Sequence, residues 1–424
     1  MADFRIECFQ NEFVPEGAAV MNAVLTVTAD GLPAADASPV AAGDGRSEVI
    51  MIDVSGSMTG SKLREAKAAT AAAVNCLPDG VRFGIIAGND TARVLYPSSP
   101  PLAVASASTR GEAMKVLRKL ETGGGTAIGS WLHLATFLLQ DQPGIRHAIL
   151  LTDGKNEHET PEVLTQVLAQ AEGVFQCDCR GVGAKWRVDD LRTIATALLG
   201  TYDIVADPSE LSADFSAMMH QALSRQIPEV RLRVWTPEGA EVTLLKQLEP
   251  VMLDLTGSRV VAGPQAGDYL TGSWGSESRD YHLSVRVSPG AVGDEMLAAR
   301  VTLLVGEEVA GQGLVRAVWT DDVARSTRIN GRVAQAMGES ELAEAIQEGI
   351  DAYRSGDVDE ATSRFSVAVR LASEHGNADA LERLSTVVEI DDPATGLVRP
   401  KSKVDETDVM IVETRSTRTV RTRK

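Results

Sequence analysis

Ser47-Glu-Val-Ile-Met-Ile-Asp53-Val54-Ser55-Gly-Ser57-Met58 is the segment from which the rest of the chain is read. Its first eight residues form a short, nearly continuous apolar run. That is the pattern of a strand covered on both faces, as in a parallel sheet flanked by helices. Downstream, the Ala-rich residues 63–77 read as a helix that Pro78-Asp79-Gly80 ends. Further strands are predicted at 81–87, 92–96, 147–152, 174–182 and 201–205. Helices are predicted at 111–120, 128–140, 161–172, 188–199 and 209–224. Strands separated by single helices imply crossovers, so residues 47–225 are expected to form an α/β domain with a doubly wound, mostly parallel sheet.

The flanks have a different period. Residues 4–9, 20–29, 230–235, 241–245, 281–287, 298–305 and 313–319 alternate in the manner of antiparallel strands, with Gly, Pro, Asp and Ser between them. Two strands cannot stand alone. Residues 1–46 are therefore expected to join 226–331 in one β-sandwich, with the α/β domain inserted between them. Residues 332–390 read as helical. Gly349, Ala352, Ala361, Phe365 and Ala368 fall at the offsets of a tetratricopeptide-like helix pair. A single pair cannot bury its own face, so it should pack as an appendage or self-associate. Residues 391–424 hold few apolar side chains and are predicted to be a disordered basic tail.

A chain of 424 residues that is 44% hydrophobic and 24% charged is not globally disordered. Its net charge of -18 sets it against nucleic acid and anionic membrane. No apolar run reaches the ~18 residues of a membrane span, and the first residues lack the pattern of a signal peptide. Cys8, Cys76, Cys177 and Cys179 make no disulfide framework, so a reducing cytoplasm is the expectation.

The chemistry concentrates at three places. Asp53, Ser55 and Ser57 end the first α/β strand, Asp153 ends a later one, and Thr126 closes a glycine loop, Gly123-Gly124-Gly125, ahead of a helix. In a doubly wound sheet, ligands bind outside the carboxyl ends of the strands, where these segments would converge. Two carboxylates and three hydroxyls are hard oxygen donors. They suit Mg²⁺ or Mn²⁺ and lack the nitrogen or sulfur that Zn²⁺ prefers.

This arrangement resembles the von Willebrand factor A domain and its metal-ion-dependent adhesion site, over roughly residues 47–222. All five positions match: Asp53, Ser55, Ser57, Thr126 and Asp153. The resemblance implies that Ser55 and Ser57 bind the metal directly and that Thr126 does so in an open state. The two aspartates would bind directly or through water. It also implies a sixth position open to an exposed Asp or Glu of a partner protein.

Other signals favour plainer readings. Gly56 to Lys62 breaks the spacing of a phosphate loop. Cys177 and Cys179 lie on one face of a strand without a second pair, as buried thiols do. The histidines show no ligand spacing, although His158 follows Asp153 closely. No nucleophile elbow is present, and no catalysis is expected. The last twelve residues hold five cations and one anion, a net +4 that leaves -22 on the rest of the chain. Threonines 414, 417, 419 and 422 sit among those arginines, a pattern that a basophilic kinase could use. The expected function is thus a cytoplasmic, bacterial, metal-dependent adaptor. The resemblance to the von Willebrand factor A family also implies an alternative, an accessory subunit of an AAA+ ATPase; the tail offers another, an accessory subunit of a Ser/Thr kinase system with a phosphothreonine-binding partner. A metal-dependent hydrolase ranks last.

Overall fold

The computed structural model describes residues 3–31, 45–99, 101–401 and 403–417. The chain divides into two compact units. One comprises Leu32–Pro228 with Gly272–Ser276, and the other comprises Met1–Gly31, Glu229–Thr271 and Glu277–Lys424.

The first unit is built on a mixed sheet. Its order is Tyr202–Val205, Gln176–Val182, Ile145–Thr152, Arg46–Asp53, Arg82–Gly88 and Ala92–Tyr96. The first five strands run parallel and Ala92–Tyr96 is antiparallel. Every residue of Arg46–Asp53 is buried, as its unbroken apolar run requires. Ile50 and Ile52 pack in one cluster with Ala66, Ala69 and Ala73 of helix Ser61–Cys76 and with Phe215 and Met219 of helix Leu211–Ser224. Small alanines let the first of these helices lie close to its neighbours.

Two local features differ from expectation. Ala103–Val104 adds a short strand against Arg82–Gly88. The following helix runs Ala107–Arg118, not 111–120. Ser106 starts it: its hydroxyl accepts from the Thr109 N–H, and the Thr109 hydroxyl accepts from the Ser106 N–H. That capping pair outweighs Gly111, which sits inside the helix.

Deep in this sheet lies a buried ionic cluster. His147 Nδ1 is 2.7 Å from Glu48 Oε2, and its Nε2 is 2.9 Å from Asp178 Oδ2. The three residues sit on the adjacent strands Arg46–Asp53, Ile145–Thr152 and Gln176–Val182, with Glu48 directly opposite His147. Asp178 Oδ1 also accepts from the N–H and hydroxyl of Thr201.

The second unit carries two antiparallel sheets. The N-terminal strands Asp3–Gln10 and Val20–Asp30 pair with each other, and the second of them pairs with Ser278–Arg286 from Thr28↔Ser278 to Val20↔Arg286. Glu241–Glu249 and Leu253–Asp254 complete five strands. The other sheet runs Val260–Gly263, Ala266–Leu270, Val230–Trp235, Glu295–Val305, Glu308–Thr320 and Phe13–Pro15, the last joined in parallel. The sheets meet where Gly313 approaches Ile6 and Leu25.

Helices Gly331–Ser355 and Val358–Glu374 pack together, with Phe365 set against Gly349, where a Cβ would lie 2.8 Å from the ring. The pair does not end the fold, and the expected disorder is corrected over the described part of the tail, up to residue 417. Residues 388–392 and 397–400 form a hairpin, and Glu406–Arg415 is a helix with an Asp405 cap. Val409 and Val412 join the cluster of Ile346, Phe365 and Leu384. Glu413 is fully buried, with Arg354 Nη2 at 2.7 Å. The apolar run Val409-Met410-Ile411-Val412 is only four residues long, and averaging over the polar tail conceals it. Thr414 is also buried, its hydroxyl donating to the Met410 carbonyl at 2.7 Å. It is therefore shielded from a kinase, while Thr419 and Thr422 lie outside the described residues.

Candidate metal centre

Adjacent parallel strands bring the two carboxylates together. Ile52 pairs with Leu151, so Asp53 ends its strand beside Thr152, one residue before Asp153. The chain leaves Asp53 for one side of the sheet, and Ile145–Thr152 lies on the other, which makes this the switch point of the topology. Both carboxylates have 0% exposure. Asp53 Oδ1 accepts from the Ser55 N–H at 2.7 Å and its Oδ2 from the Thr152 hydroxyl at 2.6 Å. Burial raises the Asp53 pKa above the ordinary carboxylate value, against the opposing pull of those hydrogen bonds.

The hydroxyls follow in a chain. Ser55 Oγ lies 3.0 Å from Ser57 Oγ, which donates to Asp153 Oδ1 at 2.6 Å. Thr126 arrives from the glycine loop. The Gly56 N–H donates to the Gly124 carbonyl at 3.0 Å, and the Gly123 N–H donates to the Val54 carbonyl at 2.8 Å. Gly124 has φ +80°, and a Cβ there would meet Asp90 Oδ1 at 2.4 Å, so only glycine suits this position. A Cβ on Gly154 would lie 3.0 Å from Thr126 Oγ1 and 3.5 Å from Ser57 Oγ. Glycine there keeps the space beside both hydroxyls open.

All five expected residues therefore belong to one site. Except for Asp53, which lies behind it, they line a pocket of about 500 Å³ together with Lys155, Glu157, His158 and Lys185. The donor set fits a hard divalent cation: two buried carboxylates need a compensating charge, and the hydroxyls add neutral oxygen. Among the described residues, no three His, Cys, Asp or Glu gather as an alternative metal site.

Four contributors were not anticipated. Lys62 places its ammonium on Asp153 Oδ2 as an ion pair. Thr152 orients Asp53. Helix Ile128–Leu139 has no side-chain cap of its own. Instead Asn156 Oδ1 accepts from the Ile128 N–H at 2.8 Å and Glu159 Oε1 from the Gly129 N–H at 2.6 Å. His158 does face the site: its Nδ1 accepts from the Thr126 N–H at 3.1 Å, and its ring covers Gly125.

Residues 48–204 match the von Willebrand factor type A domain, and residues 370–416 match the von Willebrand factor type A C-terminal domain. A solved von Willebrand factor type A structure from Catenulispora acidiphila is 44% identical. It covers 99% of this chain and 97% of its own, with a TM-score of 0.93. The chain belongs to the von Willebrand factor type A family. Its C-terminal match covers the hairpin and the whole of the final helix, within the segment expected to be disordered. The ArnB paralog VWA2 from Sulfolobus acidocaldarius shares the fold at 15% identity, with a TM-score of 0.60 over 98% of each chain. An uncharacterized protein of Synechocystis is 25% identical over 233 residues; the match spans 52% of this chain and 53% of that relative. The chain thus spans about half the length of that curated relative. Von Willebrand factor type A domains are generally metal-dependent protein-interaction modules and typically bind a divalent metal at their adhesion site. No helix among the described residues is long and apolar enough to cross a membrane.

Lys62 makes one consequence measurable. Its side chain is 25% exposed, and it offsets a carboxylate that is fully buried. In Lys62→Met, the metal-free protein should lose roughly 1–3 kcal/mol, less than a fully buried pair would cost. Saturating Mg²⁺ should restore most of that loss, so the metal-induced rise in melting temperature should exceed that of wild type. Equal rises in the two proteins would show that Lys62 and the cation do not share Asp153.

Proposed function

We propose that this chain is a non-catalytic adaptor of the cytoplasm whose Asp53, Ser55, Ser57, Thr126 and Asp153 hold Mg²⁺ or Mn²⁺. An exposed Asp or Glu of a partner protein would complete the coordination. One observation carries the reading: two fully buried carboxylates and three hydroxyls converge at the carboxyl ends of two adjacent strands, at a pocket wide enough for a side chain. When bound, the cation supplies an electron-poor position for a carboxylate oxygen.

The chain's own residues prepare that position. Thr152 and the Ser55 N–H hold Asp53 in place. The glycine loop sets Thr126, and His158 holds its backbone. Gly154 leaves the approach clear. The site's histidine is engaged with a backbone N–H rather than with a nucleophile, which supports a binding role.

The test is recovery of partners from host lysate. Partners should be retained in Mg²⁺ and lost in EDTA, and Asp53→Ala should lose them in both. Recovery of the same partners under every condition would overturn the proposal.

A further inference from the structure

The pocket around the five donors is not neutral. Lys155 follows the second aspartate, and Lys185 comes from the loop after strand Gln176–Val182, so two separate segments supply its basic rim. Both residues are exposed, and among the described residues neither ammonium forms an ion pair. His158 adds to the rim. Its Nδ1 accepts from the Thr126 N–H, so in the neutral ring the proton sits on Nε2 as a further donor. Glu157 is the only acidic residue of the lining besides Asp153. A divalent cation held by Asp53 and Asp153 would turn this neighbourhood net positive, within a chain whose net charge is -18.

One carboxylate from a partner would satisfy the cation and leave both lysines unmatched. We propose that the ligand is an acidic peptide segment: one Asp or Glu reaches the metal position, and neighbouring carboxylates pair with Lys155 and Lys185. The inference rests on the carboxylate-bridging reading above and extends it from a single residue to a short acidic run. The charge distribution favours a peptide over a longer polyanion. Screening confines surface charge to about 8–10 Å, so a short acidic segment meets mainly the basic rim. A nucleic acid or an anionic bilayer would also lie across the acidic remainder of the surface.

The probes are two capped Gly-Ser peptides, one with a single Asp and one with three adjacent Asp. Each is titrated into the full chain with Mg²⁺ or with EDTA. In Mg²⁺ the triacidic peptide should bind roughly three- to tenfold tighter, as expected of two rim ion pairs. Lys155→Gln/Lys185→Gln should erase that preference, so that the two peptides bind with the same Mg²⁺-dependent affinity. Both lysines are exposed, so this variant should keep its fold. Equal Mg²⁺-dependent affinities for the two peptides would overturn the inference and leave the bridging reading standing. So would a triacidic preference that survives in the double variant. Metal-independent binding, or no binding of either peptide, would overturn both. A single-stranded oligonucleotide that displaces the triacidic peptide equally well would overturn the peptide assignment.

Discussion

Replacing His147 with Ala should cost about 3–5 kcal/mol of stability in the α/β unit, the cost of removing one partner from a buried ionic group. Hydrogen exchange along Ile145–Thr152 measures it in that unit alone. The size follows from what remains. Among the described residues, Glu48 Oε1 has no hydrogen-bond partner and its Oε2 faces only His147. Without the imidazole, both oxygens of a residue only 1% exposed are unpaired. Burial by itself would lower the His147 pKa, but Glu48 and Asp178 overcome it and raise it to about 9. Asp178 is held well below the carboxylate range; burial opposes this, and the bond and charge of His147 prevail together with Arg225 and Arg180.

The sign for His147 follows from the raised value. Its contribution is fully present below the unfolded value of 6.5 and disappears as pH rises through about 9. A shift of that size corresponds to about 3 kcal/mol. The stability gap between wild type and His147→Ala should therefore narrow across that range. A gap that stays constant from neutral to alkaline pH would mean that His147 is neutral in the folded protein.

Strand ends are legible in this sequence because their signal is local. Asp53, Ser55 and Ser57 are read from one strand end, and Asp153 from another, because continuous apolar runs mark strands whatever their neighbours. The pairing of Glu48 with His147 was out of reach. Each stands out as a polar residue in an apolar strand, but their meeting depends on which strands are adjacent and in what register. Lys62 was visible only as part of a failed phosphate-loop pattern. Its contact with Asp153 depends on where helix Ser61–Cys76 begins, and helix ends are the least determined feature of a sequence. The caps from Asn156 and Glu159 cross about 30 residues of chain, so no local pattern carries them. The final helix failed for the opposite reason: its signal was local, and a compositional average over the tail erased it.

Loss of metal-dependent stabilisation is the second large effect. With Mg²⁺ at about a hundredfold above its dissociation constant, wild type should gain about 2.7 kcal/mol by mass action. Asp53→Ala and Asp153→Ala should gain nothing measurable, yet the two should differ before any metal is added. Asp53→Ala strands the Ser55 N–H at the buried end of a strand and leaves the Thr152 hydroxyl only its longer bond to the Gly154 carbonyl, at 3.3 Å. Each buried unsatisfied donor costs roughly 1–3 kcal/mol. Asp153→Ala frees Lys62, whose ammonium can reach water because a quarter of the side chain is already exposed; Ser57 Oγ keeps its contact with Ser55. Asp53→Ala should therefore be the less stable metal-free protein, although both lose the cation. Equal gains in Mg²⁺ for wild type and both variants would remove the metal from this site. Loss of the gain in Asp153→Ala alone would reassign Asp53 from a ligand to a support of the loop that carries the serines.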